Sequence, residues 1–140
     1  MKKILCLLTL MIFPTMSNSS TKINLQEYIN SFSWEKRIVL FITKAKYVHF
    51  INTTDEFFKI NNCENELRNL KYIRIVGDDI DKYNIPDKYM NKYGIWLIGY
   101  DGEDKSHSTD ISILKEIHNI IDTMPIRKNE AAQQEKKCND

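Results

Sequence analysis

Short runs of apolar residues alternate with a helical pattern in the first half of the chain. The run Arg37–Ile42 is rich in β-branched and aromatic residues, which suits a strand buried on both faces, as in the middle of a parallel sheet. Thr53 and Glu56 have the spacing of a capping box and predict a helix start. Apolar positions then recur every three or four residues. These positions are Phe57, Ile60, Cys63, Leu67 and Leu70. A second strand at Tyr72–Val76 completes a βαβ unit with a right-handed crossover.

The second half of the chain has the pattern of a hairpin. The segment Ile80–Lys92 is charged and rich in tyrosine, and it predicts a loop with a short helix. Ile95–Tyr100 has the composition of a third strand. The Asp101-Gly102 pair that follows is a strong turn signal, so the chain is expected to return along Lys105–Ser108.

A last helix is predicted after the hairpin. Asp110 is a suitable N-cap residue, and Pro125 is expected to end the helix. One face of this helix is apolar. Its residues are Leu114, Ile117, Ile121 and Met124. The tail Arg127–Asp140 is polar, and we expect a frayed helix or disorder there.

This order of elements predicts an α/β fold. Strand, helix, strand, then hairpin and helix is the βαβ plus ββα arrangement of a thioredoxin-like three-layer α/β/α sandwich. Leu25–Phe32 would add an N-terminal helix or strand. A flavodoxin-like domain is the alternative, but the predicted hairpin favours an antiparallel pair that such a domain lacks.

The N-terminus has the features of a secretory signal peptide. Lys2 and Lys3 precede an apolar run, Ile4–Phe13, and small residues follow up to Ser19. The run is shorter than the roughly 20 residues that cross a bilayer, so we expect cleavage rather than a membrane anchor. The predicted organisation is a signal peptide at 1–19, one domain at 20–130 and a polar tail at 131–140. The mature protein is then secreted or periplasmic, with no membrane span.

Charge and cysteine content narrow the function classes. The chain has 140 residues, with 20 basic and 19 acidic side chains, and this balance argues against a nucleic-acid partner. Cleavage of the signal would leave two cysteines, Cys63 and Cys138. An oxidising compartment permits a disulfide between them. The helical spacing instead predicts that Cys63 is a buried, reduced core residue.

Catalytic chemistry finds little support in the residues. A thioredoxin-like enzyme needs a thiol just after its first strand, where the helix N-terminus lowers the thiol pKa. Thr43–Phe50 occupies that position and contains no cysteine, and no C-x-x-C motif exists. The three histidines lack metal-site spacing. The acidic group Asp78, Asp79 and Asp81 is better interpreted as a solvated turn than as a calcium site. We expect no catalytic residue, no metal and no cofactor.

Four segments resemble one family. Trp34-Glu35-Lys36-Arg37 is similar to its Trp-x-x-Arg, and Leu97–Lys105 to its Leu-Ile-Gly-Lys-Asp-Gly-x-x-Lys. Ile121–Arg127 is similar to its Ile-Asp-x-Met-Pro-Met-Arg, and Glu130 falls where a Glu commonly follows. The chain thus resembles the bacterial domain of unknown function 4174, a domain type also found in vertebrate extracellular proteins such as equarin and the sushi-repeat-containing proteins. The resemblance implies a secreted, thioredoxin- or peroxiredoxin-like domain without an established activity.

The sequence leaves two classes of function open. The first is a non-catalytic binding or adhesion module for an unknown protein or extracellular ligand, with Asp101, Lys105 and Arg127 as candidate surface residues. The second is an atypical thiol oxidoreductase or peroxide-handling protein that uses Cys63. Trp34 and Trp96 flank or begin strands and are expected in the core.

Overall fold

The main sheet has four strands, and its topology is that of a thioredoxin-like α/β fold. A computed structural model describes residues 20–135 and 137–138, so the predicted signal peptide lies outside the described residues. The strands are β2 (Arg37–Thr43), β3 (Leu70–Val76), β5 (Gly94–Ile98) and β6 (Asp104–Ser108). They lie in the order β3-β2-β5-β6. Strand β2 is parallel to β3 and antiparallel to β5, and β6 is antiparallel to β5. The predicted βαβ unit and hairpin are both present.

Strand β2 is the centre of the molecule. All seven of its residues are buried, which explains its unbroken apolar run. Alternate side chains point to opposite faces of the sheet, so Ile38, Leu40 and Ile42 join one core cluster, and Val39 and Phe41 join the other.

Helices cover both faces of the sheet and make three layers. One face packs against α1 (Leu25–Asn30) and α4 (Asp87–Met90). The other packs against α2 (Val48–Ile60), a 3-10 helix at Ile111–Lys115 and α5 (Ile117–Asp122). The remaining elements are peripheral. They are β1 (Ile23–Asn24), α3 (Asn62–Leu67), a 3-10 helix at Gly77–Lys82, β4 (Tyr83–Asn84), which pairs with β1, and α6 (Pro125–Gln133). No helix within the described ranges is long and apolar enough to cross a bilayer.

The first long helix differs from the sequence prediction in its start and in its continuity. It begins at Val48, not at Thr53, and it ends at Ile60, where a separate helix follows. Thr54 shows why the capping interpretation is wrong, because its hydroxyl donates back to the Phe50 carbonyl at 2.7 Å, as in a helix interior. At the break, the Asn61 side chain donates to the Phe57 carbonyl at 2.9 Å.

The end of the chain also differs from the prediction. Asp110 caps its 3-10 helix as expected, accepting a hydrogen bond from the Ser112 amide at 2.8 Å. The helix before Pro125, α5, ends at Asp122 as the proline predicts, but Pro125 also begins α6 at the first helical position, where the missing N–H has no cost. The tail is therefore helical as far as Gln133.

Candidate functional site

The turn between β2 and α2, where a thioredoxin-type enzyme has its reactive thiol, contains other side chains in this protein. Strand β2 ends at Thr43, and α2 begins at Val48 after a turn that contains Lys44 and Tyr47. This turn borders a cavity of about 460 Å³, whose walls carry hydroxyl, amide, aromatic and thioether groups. None of the lining residues is a cysteine.

The two described cysteines form a disulfide, so the prediction that Cys63 is buried and reduced is wrong. Cys63 and Cys138 are 75 positions apart, and their Cα atoms lie 5.9 Å from each other. The physical reason is the break at Asn61, which removes Cys63 from the register of α2 and places it, half-buried, in α3. Ile60, the expected neighbour on a core face, is 71% exposed. The available signal was the pair of cysteines that cleavage of the predicted signal peptide would leave.

Trp34 is exposed, contrary to the expectation that it belongs to the core. Its side chain is 70% accessible, and its backbone has a φ of 65°, a conformation that non-glycine residues adopt rarely. The Trp34 amide donates to the Tyr100 carbonyl at 2.9 Å, which fixes the turn beside β5. Trp96 is buried as predicted.

A groove of about 290 Å³ lies next to Trp34. Its walls are mostly apolar and come from three parts of the chain: the turn before β2, the turn between β5 and β6, and the start of α6. The lining residues are Trp34, Arg37, Gly99, Tyr100, Asp101, Lys105, Met124, Pro125 and Ile126. Ile126 is 46% exposed and lines the groove, so part of the groove wall is an apolar surface open to solvent.

Two of the predicted surface residues, Asp101 and Lys105, lie together in this groove. The Lys105 ammonium donates to the Asp101 carboxylate at 2.6 Å, and this hydrogen bond lowers the pKa of Asp101. Glu103 lies 3.8 Å from the same ammonium. Gly99 allows the close approach, because a Cβ at that position would lie 2.5 Å from Cε of Lys105. The pair is therefore internally neutralised.

Arg127, the third predicted residue, lies outside the groove lining. It is 6% exposed and makes polar contacts beneath the surface. Its guanidinium donates to the Asp122 carboxylate at 3.2 Å and to the Leu67 carbonyl at 2.9 Å. Arg68 holds the other oxygen of Asp122 at 2.7 Å. Arg127 thus ties the start of α6 to the end of α3, a structural role in place of the predicted surface role.

A buried charge cluster, the Arg37 cluster, adjoins the groove and comprises Arg37, Glu130 and Tyr100. Arg37 is 1% exposed, and its guanidinium lies 4.1 Å from the centroid of the Tyr100 ring. It donates to the Glu130 carboxylate at 3.0 Å and to the Arg68 carbonyl at 2.8 Å. The Tyr100 hydroxyl donates to Glu130 and accepts from Asn69 at 2.9 Å. Burial raises the pKa of the Tyr100 hydroxyl, and the hydrogen bond to Glu130 raises it further.

The segments that carry the family motifs meet at the groove and at the Arg37 cluster beside it. Trp34 and Arg37 come from the first motif, Tyr100 to Lys105 from the second, Met124 to Arg127 from the third, and Glu130 follows. The family model for a domain of unknown function, DUF4174, matches residues 28–130. The chain belongs to the DUF4174 family. No curated protein and no solved structure is detectably similar to it.

The groove lies away from the usual position of a thioredoxin thiol. Arg37 is the first residue of β2 and Thr43 is the last, so the two regions are roughly 20 Å apart along the strand. Cys138 lies beyond the matched range, so the disulfide is a feature of this chain that the family model does not include.

The histidines and acidic residues show no metal-binding arrangement in the part of the chain that the structure describes. His118 instead makes a hydrogen bond of 2.7 Å between its Nε2 and the Asn65 Oδ1. Burial lowers the pKa of His118, and the charge of Arg68 lowers it further. Asp79 pairs with Lys82 at 2.6 Å on the surface of the 3-10 helix.

Proposed function

We propose that this DUF4174 protein is a non-catalytic binding module of a secreted or periplasmic compartment. It binds an apolar part of a partner protein in the groove beside Trp34. The observation that carries the proposal is the exposed indole of Trp34, which lines an apolar groove. The backbone of Trp34 has a positive φ, which is unfavourable for tryptophan.

The chemistry of the groove favours an apolar ligand over a charged one. Lys105 is paired with Asp101, and Arg37 with Glu130, so neither cation in the lining is without a counter-charge. The surface left for a partner comprises the indole, Met124, Pro125 and Ile126. Tryptophan supplies a large contact area with little loss of side-chain freedom, and methionine adapts its shape to a partner, as is typical at protein interfaces.

Two features support the extracytoplasmic location. The basic and apolar start of the sequence is that of an export signal, and the Cys63–Cys138 bond requires oxidising conditions to persist. Mass spectrometry of natively produced protein is expected to give a chain that lacks about 19 residues. A soluble protein that retains Met1 contradicts this part of the proposal.

The binding site can be tested with two matched variants. Trp34→Gly removes the indole, and Ile60→Ala removes a comparably exposed apolar side chain (71%) at the end of α2. Immobilised wild-type protein is incubated with the extracytoplasmic fraction of the source cells, and bound proteins are quantified by mass spectrometry. We expect the captured amount of at least one partner to fall about tenfold with Trp34→Gly, which corresponds to a loss of about 1.4 kcal/mol in binding free energy. The captured amount of the same partner should be unchanged with Ile60→Ala. Equal capture by all three proteins contradicts the proposed site.

The competing hypothesis is an oxidoreductase that uses Cys63. A disulfide between half-buried cysteines is accessible to thiols, which is the observation that keeps this hypothesis open. We expect no insulin reduction and no peroxide consumption above a buffer control. Turnover that disappears in Cys63→Ser would replace the binding proposal with the enzymatic one.

A further inference from the structure

No apolar side chain of helix α6 is buried. Seven of its nine residues are exposed, and the other two are the charged residues Arg127 and Glu130. Helices shorter than about 12 residues are marginal in water unless tertiary contacts support them. The position of α6 therefore depends on a small number of polar contacts and on the covalent bond that follows it.

These contacts hold α6 at two separate points. Within the helix, Arg127 binds Asp122, and Glu130 binds Arg37. After its end, the Gln134 side chain accepts a hydrogen bond from Arg127 at 3.0 Å and donates one to the Leu67 carbonyl. The second point is reinforced covalently, because the chain reaches Cys138 and its bond to α3 four residues later.

We propose that the Cys63–Cys138 disulfide is a redox-controlled latch that holds α6 in place and so regulates the groove. This inference rests on the proposed function, because α6 supplies Pro125 and Ile126 to the groove wall. With the latch closed, the part of the groove wall that α6 supplies is fixed. With the latch open, the second point keeps only the two hydrogen bonds of the Gln134 side chain, and α6 frays from Gln133 towards Glu130.

A dithiol reductant opens the latch in two steps. One thiolate of the reductant attacks Sγ of Cys138, forms a mixed disulfide and releases Cys63 as a thiolate. The second thiol of the reductant then displaces Cys138 and closes the reductant's own disulfide. Two electrons and two protons end on the cysteines. Both cysteines are half-buried rather than enclosed, so the reductant can reach the bond.

Amide hydrogen exchange read by mass spectrometry tests the latch. The purified protein is compared in the oxidised state and after reduction with dithiothreitol. After reduction, we expect peptides of α6 to exchange at least tenfold faster within the first minute, while peptides of β2 remain protected. Unchanged exchange in α6 overturns the proposal. Simultaneous exchange of α6 and β2 also overturns it, because the bond then supports the whole fold rather than one helix.

Two variants sharpen this test. Cys63→Ser with Cys138→Ser is expected to behave like the reduced protein and to ignore dithiothreitol. Glu130→Gln weakens the first anchor, and with the disulfide intact its α6 should remain protected. If oxidised Glu130→Gln exchanges as fast as the reduced protein, the ion pair rather than the disulfide holds the helix, and the proposal fails.

The exchange measurement contains no binding partner, so its outcome is separate from that of the proposed function. A working latch in a protein that captures no partner refutes only the binding proposal. A partner that binds through Trp34 with equal affinity before and after reduction refutes only the regulatory one.

Discussion

Trp34 has the most informative backbone conformation at the scale of single residues. A tryptophan at φ 65° costs about 1 kcal/mol relative to a residue that tolerates the left-handed region, and its exposed side chain returns little of this in core packing. Stability alone would select glycine or asparagine here, as at Asn69, whose φ is 50°. The indole is therefore better explained by an intermolecular role than by folding.

The first prediction follows from this backbone conformation. Trp34→Gly should leave the free energy of unfolding unchanged or raise it by up to about 1 kcal/mol, because glycine adopts a positive φ without strain. Urea denaturation of wild type and variant measures the difference. A loss of more than about 2 kcal/mol would show that the indole is packed as a core residue, and the groove would lose its main argument.

Arg37 is the residue on which the buried charge cluster depends. Arg37→Ala removes the guanidinium that faces the Glu130 carboxylate and Tyr100 ring, and it should lower the free energy of unfolding by about 3 kcal/mol. The matched control is Lys36→Ala, an exposed neighbour whose loss should change stability by less than about 0.5 kcal/mol. Similar small losses for both variants in urea denaturation would mean that the cluster contributes little.

At the scale of elements, the strands were predictable and the helix ends were not. Strand β2 is buried along its whole length, so its apolar run had one sensible interpretation. The start of α2 lacked a signal, because its N-cap, Tyr47, makes no side-chain capping bond. Thr53 and Glu56 imitate a capping box inside the helix. The same difficulty hid the disulfide, since the break at Asn61 decides where Cys63 points.

The candidate site was predictable only in part. Asp101 and Lys105 come from one hairpin turn, so their proximity follows from local sequence. Arg127 is a surface residue by its residue type, yet its burial depends on Asp122 and on the Leu67 carbonyl, which only the folded chain brings to it. Composition gave no warning that Trp34 is exposed, because its position depends on the turn that bonds to Tyr100.

The hairpin yields a prediction about how closely its strands approach. Gly94 has a φ of 155°, and a Cβ there would lie 2.1 Å from the Ser108 carbonyl oxygen. Gly94→Ala should therefore lower the free energy of unfolding by about 3 kcal/mol. Gly102→Ala is the matched control, because its Cβ would lie 3.4 Å from Oδ1 of Asn30, an ordinary contact, so only its φ of 77° costs energy, about 1 kcal/mol. Equal melting temperatures for the two variants would contradict the predicted clash.

At the scale of the whole molecule, the two ends of the sheet carry different sets of side chains. The end that carries redox chemistry in thioredoxin-like enzymes has Lys44 and Tyr47 in place of a cysteine. The opposite end gathers Trp34, the Arg37 cluster and α6, and Arg37 also bonds to the Arg68 carbonyl just after α3, the helix that carries Cys63. Fold alone does not transfer function, and here the family motifs lie at the end where a thioredoxin has no active site.

His118 makes the stability of the whole molecule depend on pH. Burial and the charge of Arg68 lower its pKa below the ordinary value of 6.5, although Glu64 and Asp122 oppose the shift. The unfolded chain therefore binds a proton at a higher pH than the folded protein does. The contribution of His118 to the free energy of unfolding is fully present above about pH 6.5, and it is lost as the pH drops towards the lowered pKa of the folded state. His107, whose pKa is also lowered mainly by burial, acts in the same direction.

The measurement is the free energy of unfolding in urea between pH 7.5 and pH 5.5. Wild-type protein should lose stability across this range. His118→Gln retains an amide donor for Asn65 but cannot titrate, so the loss should become smaller. His49→Gln replaces an exposed imidazole at the start of α2 and should keep the wild-type slope. A slope that is the same in His118→Gln and wild type would mean that the neutral imidazole at the α3–α5 contact is not what the fold requires.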